Sequence, residues 1–205
     1  MTLNAALLVV ALALALAMRP WRAVAHSGPP WPWLAWWAVL PLFWAADRIA
    51  AAPIVQPLSG ASLLVLLAGW PLAVLALLPV AGVTMLMGGL AFDEALHRLV
   101  WLGLVPATLA LGLGALLRRY LPHHPFVYTL GRGFFGTVLC VFAAKLLAQW
   151  AGHTLPNIGS ELSWVALWLM AWGDAFVTGM MTAIFVAYRP QWLATWSDTL
   201  YLTKS

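Results

Sequence analysis

A single acidic residue inside a long apolar segment is the strongest chemical signal in this sequence. Asp174 lies near the middle of the apolar run over residues 161–187. An acid at the centre of a bilayer costs at least about 2.5 kcal/mol on insertion scales. We therefore predict that Asp174 faces protein rather than lipid, with Thr178 one helical turn further on. Its role is either a structural hydrogen bond or the binding of an ion, a proton or a substrate.

A second group of polar residues has the spacing of metal ligands. Asp93 and His97 are four residues apart, so they share one face if the segment is helical, and Glu94 lies beside them. Oxygen and nitrogen ligands suit a divalent metal ion. Two or three ligands are too few to hold a metal ion, so a further ligand would have to come from His153 or Glu161 in the next loop on that side. The alternative is a solvated polar rim without metal, and no cofactor is certain from the sequence.

Two more residues inside apolar segments have simpler interpretations. Lys145 lies near one end of the run over residues 126–150, where snorkelling to the interface is favoured over an ion pair with Asp174. Cys140 is the only cysteine, so the sequence holds no disulfide framework, and it is interpreted as a packing residue. A phosphate-binding loop and a Ser/His/Asp set at usable spacing are both missing. We therefore predict that the protein is not an enzyme.

The segments that carry these residues are apolar enough to have the membrane as their solvent. The chain is 64% hydrophobic and 8% charged, with a mean hydropathy of +0.92 and 14 tryptophans in 205 residues. A soluble domain of this size needs a polar surface that such a composition cannot supply. We predict an all-α, polytopic membrane bundle that forms a single integral membrane domain over residues 1–205, in contact with lipid. The net charge of +4 is explained by topology signals and does not indicate nucleic-acid binding.

Turn-forming residues divide the chain into seven apolar segments. The predicted spans are residues 3–18, 31–46, 58–69, 71–86, 96–117, 126–150 and 161–187. The third and fourth form one run that is too long for a single crossing, and Gly69-Trp70-Pro71 is the predicted break. The third span is shorter than a full crossing of roughly 20 residues, so it is tilted, partly re-entrant or covered by neighbouring helices. Residues 191–205 are predicted to form an amphipathic cytoplasmic tail at the interface.

The distribution of basic residues predicts the orientation. With the N-terminus outside, the residues assigned to the cytoplasmic side are Arg19, Arg22, Arg118, Arg119, Arg132, Arg189 and Lys204. Only Arg48 and Arg98 then fall outside, in agreement with the positive-inside rule. Merging the third and fourth spans would separate Arg118 and Arg119 from Arg19 by the membrane, which favours the break. We predict a multi-pass protein of a bacterial inner membrane with a cytoplasmic C-terminus.

Several short motifs follow one another in an order found in a known family. The centre of the chain carries Pro57-Leu58-Ser59-Gly60-Ala61-Ser62-Leu63-Leu64, then Gly69-Trp70-Pro71-Leu72-Ala73-Val74, then Gly88-Gly89-Leu90-Ala91. The seventh span adds Asp174, Thr178-Gly179 and Tyr188-Arg189-Pro190. Over residues 31–192 this pattern resembles the CbiM-type permeases, the substrate-capturing membrane components of cobalt/nickel energy-coupling-factor (ECF) transporters. Within that family the chain resembles a divergent, uncharacterised proteobacterial branch.

The resemblance implies a transport function with an altered ligand. It implies a permease without its own ATPase, which needs an ECF scaffold protein and ATPase subunits as partners. It also implies that Asp174, Thr178 and Ser59 bind the substrate. The family binds metal through its N-terminal amine and two histidines, and Thr2 and Ala61 stand at the histidine positions here, so nickel or cobalt is not the expected ligand. The alternative is a non-transporting accessory or assembly subunit of a membrane complex.

Overall fold

The computed structural model describes residues 2–20, 32–50, 57–152, 160–197 and 201. These ranges contain helices and no strand, which confirms the predicted all-α class. The helices within them are α1 (Thr2–Ala17), α2 (Pro32–Trp44), α3 (Ala46–Ile49), α4 (Ala61–Ala68), α5 (Trp70–Gly88), α6 (Phe92–Tyr120), α7 (Val127–Trp150) and α8 (Ser160–Tyr188). A short 3-10 helix, Pro190–Trp192, follows α8.

Four helices are long and apolar enough to cross a membrane. They are α5, α6, α7 and the Leu162–Tyr188 part of α8. Large apolar side chains lie on the outside of the bundle: Leu86 is 81% exposed and Leu169 is 63% exposed, whereas Asp174 is only 3% exposed. An apolar exterior around a buried acid is the arrangement that lipid requires. The chain is therefore a multi-pass membrane protein.

The long apolar run in the centre of the chain is interrupted where the sequence predicts. Helix α4 ends at Ala68, Gly69 has a φ of 78°, and α5 begins at Trp70 with Pro71 in its first turn. Proline is tolerated there because the first N–H groups of a helix have no intrahelical acceptor. The beginning of the run differs from the prediction, since residues 57–60 are not helical. All residues of α4 are buried, so neighbouring helices cover this short piece.

Polar contacts between the ends of helices define the two ends of the bundle. At the first, which we call the Glu94 end, ion pairs join Glu94 near the start of α6 to the segment that follows α2. At the second, the Tyr128 end, the hydroxyl of Tyr128 at the start of α7 lies 2.7 Å from that of Thr195 beyond α8. The N–H of Thr195 also donates to the carbonyl of Leu66, near the end of α4. Because α4 begins beside Asp174, midway along α8, this helix covers only half of the bundle's depth.

The described part of the tail packs against the protein at the Tyr128 end. Leu193 is 2% exposed and Tyr201 is 6% exposed. The ring centroid of Tyr201 lies 5.1 Å from that of Tyr128. Residues 198–200 and 202–205 of the predicted amphipathic tail lie outside the described residues. The described tail residues thus close this end of the bundle.

Two of the long helices contain a π-helical segment, Leu99–Leu104 in α6 and Val127–Phe135 in α7. Such wide turns disturb the regular hydrogen-bond ladder and are frequent near functional sites. In α6, the carbonyl of Leu102 accepts a hydrogen bond from the Ser59 hydroxyl. The neighbouring Gly103 has no side chain, and a Cβ there would lie 2.9 Å from the ring of Trp44. The π segment of α6 thereby gives residues 57–60 both an acceptor and room to pack.

Candidate functional site

The Asp174 carboxylate reaches from α8 to the beginning of α4. The backbone N–H of Gly60 donates a hydrogen bond to its Oδ1 over 3.0 Å. The first N–H groups of a helix carry partial positive charge and have no partner within the helix, so a carboxylate is stabilised there. The prediction that Asp174 faces protein and is hydrogen-bonded is confirmed. Its partner is a backbone amide at a helix end, as expected for a structural hydrogen bond.

The non-helical backbone before α4 is held by side chains of other helices. The indole N–H of Trp36 donates to the Gly60 carbonyl and that of Trp44 donates to the Ser59 carbonyl, both over 2.9 Å. The Ser59 hydroxyl donates to the Leu102 carbonyl over 2.6 Å. Buried backbone carbonyls outside regular structure need such partners. Residues 59 and 60 therefore form a fixed platform on which the Asp174 carboxylate is positioned.

Glycine is required at the centre of this platform. Gly60 has a φ of 61°, a conformation that L-residues with a side chain rarely adopt. A Cβ at this position would also lie 2.5 Å from Cδ2 of Leu40 and 3.0 Å from the Trp36 ring. Both the backbone angle and the close approach of α2 thus exclude a side chain. The short Ser-Gly motif is explained by the geometry that presents one N–H to Asp174.

Buried oxygen atoms on the two helices that meet here have unused hydrogen-bonding capacity. Among the described residues, the atoms without a partner include Oδ2 of Asp174, Oγ1 of Thr178 and Oγ of Ser62. Buried polar atoms in native proteins are nearly always paired, so each of these requires an explanation. All three are acceptors, and the two hydroxyls also donate. The arrangement suits a small ligand with hydrogen-bond donors or positive charge, including a proton on Asp174.

A small cavity lies beside Ser62, and neither Asp174 nor Thr178 lines it. Ser62, Cys140 and Arg132 line an internal cavity of about 10 Å³ between α4, α6 and α7. This volume is about that of one water molecule. A ligand larger than water or a bare ion therefore requires the helices around α4 to separate. Cys140 is a buried free cysteine.

Lys145 is the basic residue predicted to lie inside an apolar segment, and it belongs to α7. Its side chain is half-buried, and no ion pair joins it to Asp174 in the described structure. Snorkelling of Lys145 to the interface stays a prediction.

The three predicted substrate-binding residues lie close to one another in the fold. Ser59 and Asp174 are joined through the backbone of Gly60. Thr178 lies one turn from Asp174 on the same buried face of α8, and its carbonyl accepts a hydrogen bond from Thr182 over 2.7 Å. The assignment of Ser59, Asp174 and Thr178 to a substrate stays a prediction.

The predicted metal ligands Asp93 and His97 both lie at the beginning of α6, where Asp93 is exposed and His97 is half-buried. The adjacent Glu94 is engaged by arginines and has little capacity left for a metal. His153 and the side chain of Glu161 lie outside the described residues. In the ranges that the structure does describe, no cluster of three or more metal-ligating side chains is found. Metal binding by Asp93 and His97 stays a prediction.

A network of ion pairs at the Glu94 end supports the platform from outside. The guanidinium of Arg98 donates to both carboxylate oxygens of Asp47 over 2.7 Å, to Glu94 over 2.8 Å and to the carbonyl of Trp44. Burial of Asp47 would raise its pKa, but the hydrogen bonds and charge of Arg98 lower the pKa below its ordinary value. Because Trp44 binds Ser59, this network fixes one of the groups that hold the platform.

Sequence reasoning missed the residues that position Asp174. Neither Trp36 nor Trp44 was distinguishable from the other tryptophans, which in membrane proteins are expected at the lipid interface. The signal available for Gly60 was its place beside Ser59 before a short apolar piece, which suggests a helix start. That signal gives no indication of the distant acid that binds there.

Comparison with known proteins supplies no relative, because no family model, no curated protein and no solved structure matches the chain.

Proposed function

We propose that this chain is a substrate-capturing membrane component of an ECF transporter, of the CbiM type, with a ligand other than nickel or cobalt. The observation that carries the proposal is the interrupted crossing, in which the half-helix α4 begins at mid-depth beside a buried acid. Discontinuous helices with this arrangement are how many transporters build their binding sites. The resemblance of the Ser59-Gly60 and Asp174 motifs to that family supports the same function.

The proposal includes seven crossings with the N-terminus outside and the C-terminus in the cytoplasm of a bacterial cell. Besides α5 to α8, the crossings are α1, α2 and the segment made of residues 57–60 and α4. The polar contacts at the Glu94 end and at the Tyr128 end support this, because they place the ends of successive helices alternately at the two ends of the bundle. The Tyr128 end, which carries Arg118, Arg119 and Arg132, is then cytoplasmic, in agreement with the positive-inside rule.

The proposed ligand binds where Asp174 Oδ2 and the hydroxyls of Thr178 and Ser62 are unused. The family's imidazole after the Ser-Gly motif is replaced by Ala61, whose methyl group is fully buried. Oxygen ligands of this kind favour a hard cation or a protonated group over nickel in a square-planar nitrogen site. We infer that the substrate is a small cation or a molecule that donates hydrogen bonds.

The experiment measures ligand binding by the purified protein in detergent. Elemental analysis after desalting tests bound metal, and thermal stabilisation by a panel of mono- and divalent cations and small amines tests reversible ligands. Asp174→Asn is expected to abolish the stabilisation while the fold is retained. Asp93→Asn makes the same chemical change at the Glu94 end, so comparing the two variants shows which of the two candidate sites binds the ligand. Stoichiometric nickel, or a ligand lost with Asp93 but not with Asp174, would contradict the proposal.

Co-purification tests the partners. An ECF permease is expected to co-purify with a scaffold protein and ATPase subunits when it is isolated at native abundance.

The second candidate function, a non-transporting accessory subunit, is favoured by an aromatic surface on α7 and α8. Phe134, Phe135, Trp172 and Phe176 pack edge to face there, and Phe135 and Phe176 are 51% and 62% exposed. Recovery with a different membrane complex, without ATPases, would favour that function.

A further inference from the structure

A cleft at the Tyr128 end of the bundle concentrates positive charge. It has a volume of about 400 Å³ and is lined by Leu111, Ala115, Arg118, Arg119 and Arg132. The first four lie on α6 at spacings that place them along one face of the helix. Arg132 reaches the cleft from the π-helical segment of α7. Asp174 and the platform residues do not line the cleft, although Arg132 also borders the small cavity beside Ser62. The proposed transport function assigns no role to the cleft.

Arg132 lies deeper in the bundle than the other two arginines. Its guanidinium occupies the position that a side chain at residue 114 would take, which Gly114 leaves empty. One face of the guanidinium lies 5.5 Å from the ring centroid of Tyr128. Its Nε and Nη1 are buried and have no hydrogen-bond partner among the described residues. A guanidinium carries five N–H donors, so most of its binding capacity is unused here.

Acidic residues that could neutralise this charge lie elsewhere. Asp47, Asp93 and Glu94 are at the Glu94 end, and the Asp174 carboxylate is bound to Gly60. Glu161 belongs to the first turn of α8, which is also at the far end. The remaining acid, Asp198, lies outside the described residues. An unpaired charge with buried donors is costly, and an anion in the cleft would remove that cost.

We propose that the cleft binds the phosphate group of an anionic phospholipid. Arg132 lies about one and a half turns inside the end of α7, which places its guanidinium near the boundary between headgroups and acyl chains. Leu111 and Ala115 supply an exposed apolar wall directly below the arginines. A ligand that matches both parts has an anionic head and a hydrocarbon chain. Basic pockets between helices on the cytoplasmic side of a membrane recognise such headgroups.

Arginine is suited to this ligand because its planar fork forms two parallel hydrogen bonds with phosphate oxygens. This favours an anionic headgroup held by Arg132 at depth and by Arg118 and Arg119 nearer the surface. Free inorganic phosphate shares the headgroup chemistry but leaves the apolar wall uncovered.

The test titrates phosphatidylglycerol into the protein in zwitterionic nanodiscs and follows both bound lipid by native mass spectrometry and thermal stability. The variants are Arg132→Gln and, as a matched control at the same end but outside the cleft, Arg189→Gln. We expect phosphatidylglycerol to bind and stabilise the wild type and the control alike. Arg132→Gln is expected to weaken that binding about tenfold or more, since it removes charged hydrogen bonds to phosphate. Without phosphatidylglycerol, Arg132→Gln is expected to be at least as stable as the wild type, because a buried unpaired charge has been removed.

Two further titrations identify the source of the anion. Inorganic phosphate alone is expected to leave stability unchanged, and stabilisation equal to that by phosphatidylglycerol would overturn the lipid assignment. A glutamate-rich peptide that binds more tightly than phosphatidylglycerol would overturn it in favour of an acidic protein partner. Equal phosphatidylglycerol affinity of the wild type and Arg132→Gln would refute the site itself. Loss of stability in Arg132→Gln without any anion would show that Arg132 is already stabilised within the chain and would also refute the proposal.

Discussion

Replacement of Asp174 separates the structural contribution of its hydrogen bond from its chemistry. The carboxylate accepts one bond from the Gly60 N–H over 3.0 Å and has a second oxygen without a partner. In Asp174→Asn the amide oxygen can still accept the Gly60 bond. The weaker neutral bond costs about 1 kcal/mol, and relief of the buried charge offsets part of that loss. We expect the free energy of unfolding of Asp174→Asn to lie within about 1 kcal/mol of that of the wild type.

Asp174→Leu is expected to be much less stable. It leaves the Gly60 N–H buried without an acceptor, which costs about 1–3 kcal/mol. Thr182→Val is the matched control, since it also replaces a polar group by an apolar one on the buried face of α8. The Thr182 hydroxyl binds a carbonyl of its own helix over 2.7 Å, so its loss leaves no donor unpaired. The control is expected to stay within about 0.5 kcal/mol of the wild type.

The assay is reversible unfolding in mixed micelles, followed by the fluorescence of the tryptophans as denaturing detergent is added. The expected order of stability is wild type, Thr182→Val, Asp174→Asn and, well below them, Asp174→Leu. If Asp174→Leu is as stable as the control, the bond to Gly60 contributes nothing and the platform argument is refuted. If Asp174→Asn folds but also binds every ligand of the wild type, the bond is structural and the proposed transport site is wrong.

The other predictions concern the platform, its support and the orientation. Gly60→Ala is expected to lose about 2 kcal/mol or more of stability in the same assay, because a side chain at positive φ is strained and meets α2; a neutral effect would contradict the geometry. Because Arg98 lowers the pKa of Asp47, their pairing stabilises the fold above the ordinary pKa of 3.8 and is lost as the pH falls through the lower folded value. Wild-type stability is therefore expected to fall more steeply below pH 3.8 than that of Asp47→Asn, and parallel curves would speak against the pairing. C-terminal fusions are expected to fluoresce with a cytoplasmic reporter and to be inactive with a periplasmic phosphatase; the opposite result would reverse the orientation.

The parts of the fold that the sequence predicts are those set by local chemistry. The break at Gly69-Trp70-Pro71 follows from a proline without an amide hydrogen and a glycine free to adopt positive φ. The burial of Asp174 follows from the cost of an acid in hydrocarbon, whichever helix receives it. Both are properties of a residue and its immediate neighbours. The unwound residues 58–60 differ from the predicted span, although Ser59 and Gly60 are residue types that favour a helix start.

The partner of each polar group depends on tertiary structure and could not be read from spacing. The spacing of Asp93, Glu94 and His97 allows any of them to be a metal ligand. In the structure, however, the Glu94 carboxylate accepts hydrogen bonds from Arg98 and Arg48. Which of the two acids is engaged depends on where α2 ends relative to α6. Helical periodicity defines the face on which a residue lies but not the residue that faces it.

The tryptophans connect these observations. The non-helical residues that precede α4 at mid-depth carry backbone carbonyls where no water can bind them. Indole N–H groups are donors without an acceptor function, so they satisfy carbonyls while their rings fill apolar space. Besides Trp36 and Trp44 at the platform, Trp37 donates to the carbonyl of Ala76 over 2.8 Å. Part of the tryptophan content is thereby explained as donors to buried carbonyls rather than as an interfacial belt. Two of these indoles fix the backbone before α4, and the Asp174 carboxylate is bound at the helix end that they position.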